Sequence, residues 1–371
     1  MHNRFLLLAI IFIAIKSKSF SQVVPQNHSI SIQPAYGSHI LKNENGIFHD
    51  YIYGVDISYL KDISNNSDLW IKKTNAKAYG LSVVMRNLNN LKGPEGTSNN
   101  SFGQAYGITG IAQFEVIKVG PIRVNFSPAV GLSYVTKSYF SNPKNRFIGS
   151  NINMTIKADL GVEIPVKSNL SLSGGINTLH YSNGGFNIPN GGLNTGGLYA
   201  GLTFKNFTDT ASKKSAFISL QKNSFDFEIG IGRRGVYESH KGIFRSGVYA
   251  GYNYRLNDVF TLKSGIDAVY TGTVYDPSNR LATFQYYGSS FDSWRTGISL
   301  GTDLNMGRVA VNLKAGKYVH FARLYKTTKN INWYWTFGPT YYITPRIGVQ
   351  FKTYMHLAQA DFQNWGLVVK I

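Results

Sequence analysis

The chain has 371 residues, with 38 Lys and Arg against 19 Asp and Glu, a formal charge of +19 and no cysteine. The missing thiols exclude disulfides and thiolate metal sites. Charged residues make up only 15% of the chain, below the roughly 25% usual for soluble globular domains, while aromatics reach 14% and glycines number 38.

Arg4, the apolar run from Phe5 to Ile15, and the small residues Ser19 and Ser21 form a basic start, a short apolar core and a small-x-small end. That order describes a secretory signal peptide over residues 1–21, cut before Gln22, and the run is too short to span a membrane as a helix. The mature chain is therefore expected to be exported, with a charge of +16 once Arg4, Lys16 and Lys18 are removed. In an exported chain such an excess is expected to meet phosphate-bearing lipid rather than nucleic acid, or equally to form a solvated rim.

Beyond the leader the chain reads as a series of alternating strands. They are expected near 28–36, 51–60, 69–87, 103–118, 121–135, 150–165, 168–181 and 194–206. In the fifth, Ile122, Val124, Phe126, Val130 and Leu132 alternate with Arg123, Asn125, Ser127 and Ser133. The sixth sets Ile152, Met154, Ile156, Leu160 and Val162 against Asn153, Thr155, Lys157, Asp159 and Glu163. A sandwich would turn the apolar face inward and a membrane barrel would turn it to lipid. Connection length separates the two, because long and short connections alternate as they do between the outer loops and inner turns of outer-membrane barrels.

After a polar stretch from Lys205 to Ser215 the pattern restarts, with strands near 224–235, 242–256, 258–270, 293–304, 307–318, 331–342, 346–356 and 361–371. Gly46 to Asp62 and Gly242 to Asp258 agree at six positions, a faint echo of duplication. The expected fold is an all-β, transmembrane, antiparallel β-barrel of about sixteen strands in two eight-strand halves, residues 22–206 and 207–371. A single barrel is the first choice and two eight-strand barrels in tandem the second, with residues 205–222 as a linker.

Candidate chemistry gathers at His180 to Thr195, H-Y-S-N-G-G-F-N-I-P-N-G-G-L-N-T. On the strand before it the even positions Leu170, Leu172 and Ile176 are apolar, and His180 and Ser182 continue that face. On the strand after it Leu198, Ala200 and Leu202 are apolar, and Asn194 shares their parity. Residues two apart on one strand face have Cα atoms roughly 6.5 Å apart, within reach of a hydroxyl–imidazole hydrogen bond. Ser182 would be the nucleophile, His180 its base and Asn194 the group that orients the imidazole. Asp159 and Glu163 fall on the opposite face. Gly184 and Gly185 could present backbone N–H groups to an oxyanion, and the Asn183 or Asn190 amide could add another.

The string H-Y-S-N-G-x-x-x-x-P-N-x-G-x-N closely resembles the active-site segment of the outer-membrane lipid A 3-O-deacylases of the PagL type, and the resemblance extends over roughly residues 28–206. It implies an eight-strand barrel with a Ser-His-Glu triad on its lipid-facing surface that hydrolyses the ester of the 3-O-linked acyl chain of lipid A. Carried over, Ser182 matches the nucleophile, His180 the base and Asn183 an oxyanion residue, while the family's Glu is Asn194 here. An amide accepts the imidazole N–H but cannot balance the imidazolium charge, so slower turnover is expected. The implied partner is lipid A or lipopolysaccharide in the outer leaflet of a Gram-negative-type outer membrane, with no cofactor, metal or nucleic acid.

The second half repeats no such site. His356 lies on the polar parity of its strand, with Ala358 where a serine would stand. The rival readings are a barrel of the same ancestry that is structural or pore-forming, and a soluble β-sandwich that binds a polyanion.

Overall fold

The computed structural model describes residues 27–40, 51–91, 102–206, 221–271, 273–275, 284–286, 289–321 and 332–371. The expected leader, residues 1–21, and residues 207–220 lie outside these residues. The first eight strands are β1 (His28–His39), β2 (Tyr51–Asp62), β3 (Ala76–Asn87), β4 (Gln104–Val119), β5 (Ile122–Val135), β6 (Ile152–Lys167), β7 (Leu170–Ser182) and β8 (Leu193–Asn206). Each pairs antiparallel with its sequence neighbour, and β1 pairs back onto β8, with Ile30 opposite Phe204.

The second set is β9 (Asn223–Gly235), β10 (Gly242–Arg255), β11 (Phe260–Tyr270), β14 (Trp294–Met306), β15 (Val309–Phe321), β16 (Trp333–Tyr342), β17 (Ile347–His356) and β18 (Gln359–Lys370). It closes through β18 on β9, with Leu367 opposite Ile229. A small hairpin of β12 (Thr273–Tyr275) and β13 (Phe284–Tyr286) stands apart within the 271–292 connection.

The protein thus forms two closed eight-strand barrels, the second of the two arrangements the pattern allows. Eight strands enclose a space just wide enough for side chains to fill, and the inward residues here are large. In the first barrel Arg86 bonds Asp56 through both nitrogens, at 2.5 and 3.0 Å, and Lys157 reaches Asp56 at 3.0 Å and also bonds Asp159. In the second, Lys263 pairs with Asp226 at 2.7 Å, Lys314 pairs with Asp267 at 3.3 Å, and Lys352 bonds Glu228. A single sixteen-strand cylinder would leave such groups around an aqueous channel instead.

Apolar residues take the opposite face. Leu81, Ile108, Leu132, Leu172 and Leu198 on the first barrel, and Ile229, Ile231, Leu300 and Leu367 on the second, point outward and are exposed, whereas Lys157 is 1% exposed. Polar inside and apolar outside is the reverse of a sandwich, and it is how a transmembrane barrel meets lipid. The soluble-sandwich alternative is thereby replaced.

The strand expected over 69–87 begins instead with a short helix, α1 (Leu69–Thr74). Asn75 ends it in a left-handed conformation, and Ile71 packs with Ile63 and Ala76 against Trp70 and Phe114. A larger apolar cluster fills the opposite, outer end of the first barrel. It joins the inward residues Val84, Val135, Leu179, Tyr181 and Leu193 to Leu88, Leu91, Phe102, Phe147 and Ile148 from the loops. Below it lies a polar lumen cavity of about 340 Å³, lined by Ser31, Gln33, Glu163 and Lys205 among others.

Candidate active site

The outer-end cluster fixes the ends of β7 and β8 from behind. Leu179 and Tyr181 point into it on either side of His180, and Leu193 and Thr195 are buried on either side of Asn194. Because strand side chains alternate, pinning these neighbours inward leaves His180 and Asn194 on the outer wall. The two are register partners across the β7–β8 ladder. His180 Nδ1 and Asn194 Oδ1 are 2.7 Å apart. A side-chain carbonyl can only accept, so Nδ1 carries the proton and Nε2 is the free acceptor, as a general base requires.

Ser182 follows on the same face but is only 8% exposed, because the 183–192 loop folds over it. Its Oγ accepts from Gly184 N at 3.1 Å and from Asn190 Nδ2 at 2.8 Å. Among the described residues no hydrogen bond joins Ser182 to His180. The expected triad is therefore present as a bonded His–Asn pair and a separately held serine, whose hydroxyl proton is uncommitted.

The four expected oxyanion donors divide by task. Gly184 N and Asn190 Nδ2 converge on the serine oxygen. The Asn190 amide is set by its own Oδ1, which accepts from Gly149 N at 3.3 Å and from Asn183 N at 3.5 Å. Asn183 and Gly185 build the loop instead: Asn183 Nδ2 donates to Ser150 Oγ at 3.0 Å and to Asn187 O at 2.9 Å, and Gly185 N donates to Asn183 Oδ1 at 3.0 Å. Gly184 has φ +61 and Gly192 has φ +75, conformations that favour glycine. A Cβ on Gly192 would also press on the imidazole, 2.8 Å from His180 Cε1.

Two contributors escape a reading of the sequence. One is the β5–β6 loop, which forms a bed for the site loop: Gly191 N and Gly192 N donate to Arg146 O and Phe147 O at 3.1 and 3.0 Å. The glycines at 149 and 191–192 were the available signal. The other is the second barrel. Gly235 N donates to Gly185 O at 2.8 Å, Glu238 N donates to Ile188 O at 2.9 Å, and Ile188 and Tyr237 form a parallel bridge. Arg146 bonds Glu238 at 3.1 Å and also bonds Tyr237, and Phe140 stacks on His240 with ring centroids 3.9 Å apart. No periodicity advertises contacts between segments so far apart in sequence.

Asp159 and Glu163 lie inside the first barrel, the latter bonded to Lys205, and neither approaches His180. His356 also faces inward, its Nε2 2.8 Å from Tyr318 OH. Among the described residues no group of three His, Asp or Glu side chains is arranged to hold a metal ion.

An outward-facing polar site on a lipid-facing barrel wall defines a membrane β-barrel with a surface site, and the family comparisons agree with that class. The family model described as lipid A 3-O-deacylase (PagL) matches residues 56–203, and that described as acyloxyacyl hydrolase, C-terminal domain, matches residues 223–371. The chain belongs to the PagL-type family, a family of lipid A deacylases, with each barrel matched by its own model. Family and barrel architecture together point to the outer membrane. No match was found among curated proteins.

Solved structures similar to parts of the chain include Neisserial surface protein A, at 14% identity over 49% of this chain and 99% of that one, with a TM-score of 0.31. The toluene transporter TodX of Pseudomonas putida is 10% identical over 94% of this chain and 89% of its own, with a TM-score of 0.19. A Rhodopseudomonas blastica porin triple mutant is 8% identical over 94% of this chain and all of its own (100%), with a TM-score of 0.18.

Proposed function

We propose that the protein is an exported outer-membrane esterase that hydrolyses the ester of a 3-O-linked acyl chain on the lipid A of lipopolysaccharide, with Ser182 as nucleophile, His180 as base and acid, and Asn194 as the orienting group. The observation that carries this reading is the bonded His180–Asn194 pair on the lipid-facing wall, with Ser182 two residues along the same face under two convergent donors.

Ser182 Oγ attacks the acyl carbonyl carbon and its proton passes to His180 Nε2. The carbonyl oxygen takes up negative charge, for which Gly184 N and Asn190 Nδ2 are the nearest donors. The tetrahedral intermediate collapses as the C–O bond to the sugar breaks, the departing oxygen takes the proton from His180, and the acyl group stays on Ser182. Water, deprotonated by His180, then releases the fatty acid and restores the serine. Both donors are held by the loop beside Ser182 Oγ and pass from it to the neighbouring oxyanion as charge develops; removing one oxyanion donor typically costs about 10²–10³ in kcat. The Ser182–His180 bond closes with substrate, because hydrogen bonds of this kind are often long until the Michaelis complex forms.

Mass analysis of lipid A from cells carrying the wild-type protein or Ser182→Ala tests the reading. The wild type should remove one ester-linked acyl chain and the variant none. Equal acyl patterns from two folded, membrane-inserted proteins would favour a structural barrel that has lost catalysis.

A further inference from the structure

Two donor atoms on the outer wall of the second barrel, Arg233 Nε and Gln363 Nε2, have no hydrogen-bond partner among the described residues and lie beside the site loop. Arg233 on β9 and Gln363 on β18 are register partners, on the same outward parity as Ile231 and Trp365, both exposed. The Gln363 amide lies against Gly184, the residue whose N–H reaches Ser182 Oγ. Its Nε2 is buried and bonds to nothing among the described residues.

Arg233 lies with its guanidinium carbon 4.6 Å from the ring centroid of Phe186, in the same loop. A cation–π contact of this kind leaves guanidinium N–H groups able to meet oxygen acceptors. Nη2 donates to His240 O, while Nε is buried and unpartnered. Two nearby carboxylates are already engaged, Glu238 by Arg146 at 3.1 Å and Asp361 by Arg295 at 3.2 Å. Among the described residues no carboxylate pairs with Arg233. Gly242 makes room for it, since a Cβ there would collide with the guanidinium.

A buried donor left unpaired is costly, and a buried cationic one more so. The acceptor that answers both Arg233 and Gln363 is an oxygen-rich anion. A phosphate ester presents several oxygens to a guanidinium edge and an amide at once, and one carried on a lipid arrives at the level of this wall. We propose that Arg233 and Gln363 form a phosphate subsite, supplied by the second barrel, for the headgroup of the lipid whose ester Ser182 attacks. This rests on the esterase reading for its substrate. It gives residues 223–371 a role in choosing that substrate.

The test is binding to the full-length protein in detergent, in a Ser182→Ala background so that no ligand is consumed. The probes are phosphorylated lipid A, the same lipid dephosphorylated, and inorganic phosphate as a competitor. Adding Arg233→Ala should weaken phosphorylated lipid A by about tenfold, the scale of one hydrogen bond to a charged group, and should leave the dephosphorylated form unaffected. Gly242→Ala, which displaces the guanidinium without removing it, should act in the same direction. Competition by millimolar inorganic phosphate that disappears with Arg233→Ala would assign recognition to the phosphate itself. No competition, with discrimination between the two lipids retained, would assign it to phosphate held in its lipid setting. Equal weakening of both lipids, or of neither, overturns the subsite. Because binding is read without turnover, that result is separable from a failed Ser182→Ala comparison, which bears on the esterase alone.

Discussion

Both barrels finish on a hairpin with a histidine near the end of its first strand, and among the described residues only the first carries the proposed site. In the second barrel β17 and β18 are joined by Leu357 and Ala358 alone, and the strand end is bulged between Tyr354 and Met355. His356, on the inward parity of β17, meets Tyr318. In the first barrel β7 and β8 are joined by residues 183–192, and His180 stays on the outer wall against Asn194. A histidine at a strand end is thus not the determinant. The face it takes decides whether it meets lipid, and the length of the loop decides whether a serine beside it finds donors.

The most severe way to break this contrast is to give the first barrel the second barrel's turn. Replacing residues 183–192 by Leu-Ala removes Asn190, Gly184 and the segment that bridges to Tyr237. Since a single oxyanion donor accounts for about 10²–10³ in rate, deacylation should fall below detection in lipid A mass analysis. Heat-modifiable gel mobility, the sign of a closed barrel, should persist. Residual activity near wild type would mean that the loop is not part of the site.

Much of this contrast is legible in the sequence, because strand parity is a local property. Leu172, Ile176, His180 and Ser182 share a face in the sequence and in the structure, as do Asn194 and Leu198, and the inward parity of His356 is equally readable. What depends on pairing over long separations is not legible. The strand pattern fits one cylinder or two, since only the ladder between β1 and β8 decides which. The faint echo between Gly46–Asp62 and Gly242–Asp258 falls on β2 and β10, the second strands of their barrels, with residues 46–50 outside the described residues. Leu69–Thr74 has too few residues to separate a helical period from an alternating one, and Ile71 alone is buried in it. The approach of Gln363 and Arg233 to the site loop has no local signature at all.

A milder change sharpens the contrast within the site itself. Asn194 holds the neutral imidazole in the right tautomer but leaves the imidazolium of the transition state without a counter-charge. In serine triads an Asp-to-Asn exchange costs about 10⁴ in kcat, so Asn194→Glu should raise kcat by about tenfold or more, read as acyl chain released per unit time, with little change in KM. Asn194→Ala should lower it by freeing the ring. If Asn194→Glu leaves the rate unchanged, charge balance at His180 is not what limits this barrel.

The smallest expected effect separates the two ends of the seam between the barrels. At the outer end the contacts run through the site loop; at the inner end Lys73 of α1 meets Asp258, in the β10–β11 turn, at 2.8 Å, and Gly307 faces Trp70. The hydrogen bond from Lys73 holds the Asp258 carboxyl below its usual range, and the charges of Lys73 and Arg255 add to this. A depressed carboxylate contributes stability above its unfolded pKa of about 3.9 and loses it as pH falls through the lower folded value. Lys73 is half exposed, with 47% of its side chain in solvent. The pair is accordingly a surface one, worth about 0.2–1 kcal/mol. Asp258→Asn should lower the melting temperature at pH 7 by about 2 °C or less, and the difference from wild type should vanish in strong acid or in about 1 M salt, where exposed charges are screened. Deacylation should be unchanged, because nothing in the inner seam touches Ser182, His180 or their loop. A loss of activity in Asp258→Asn as large as that of the loop replacement would show that both ends of the seam position the site, and that the outer end has no special part in it.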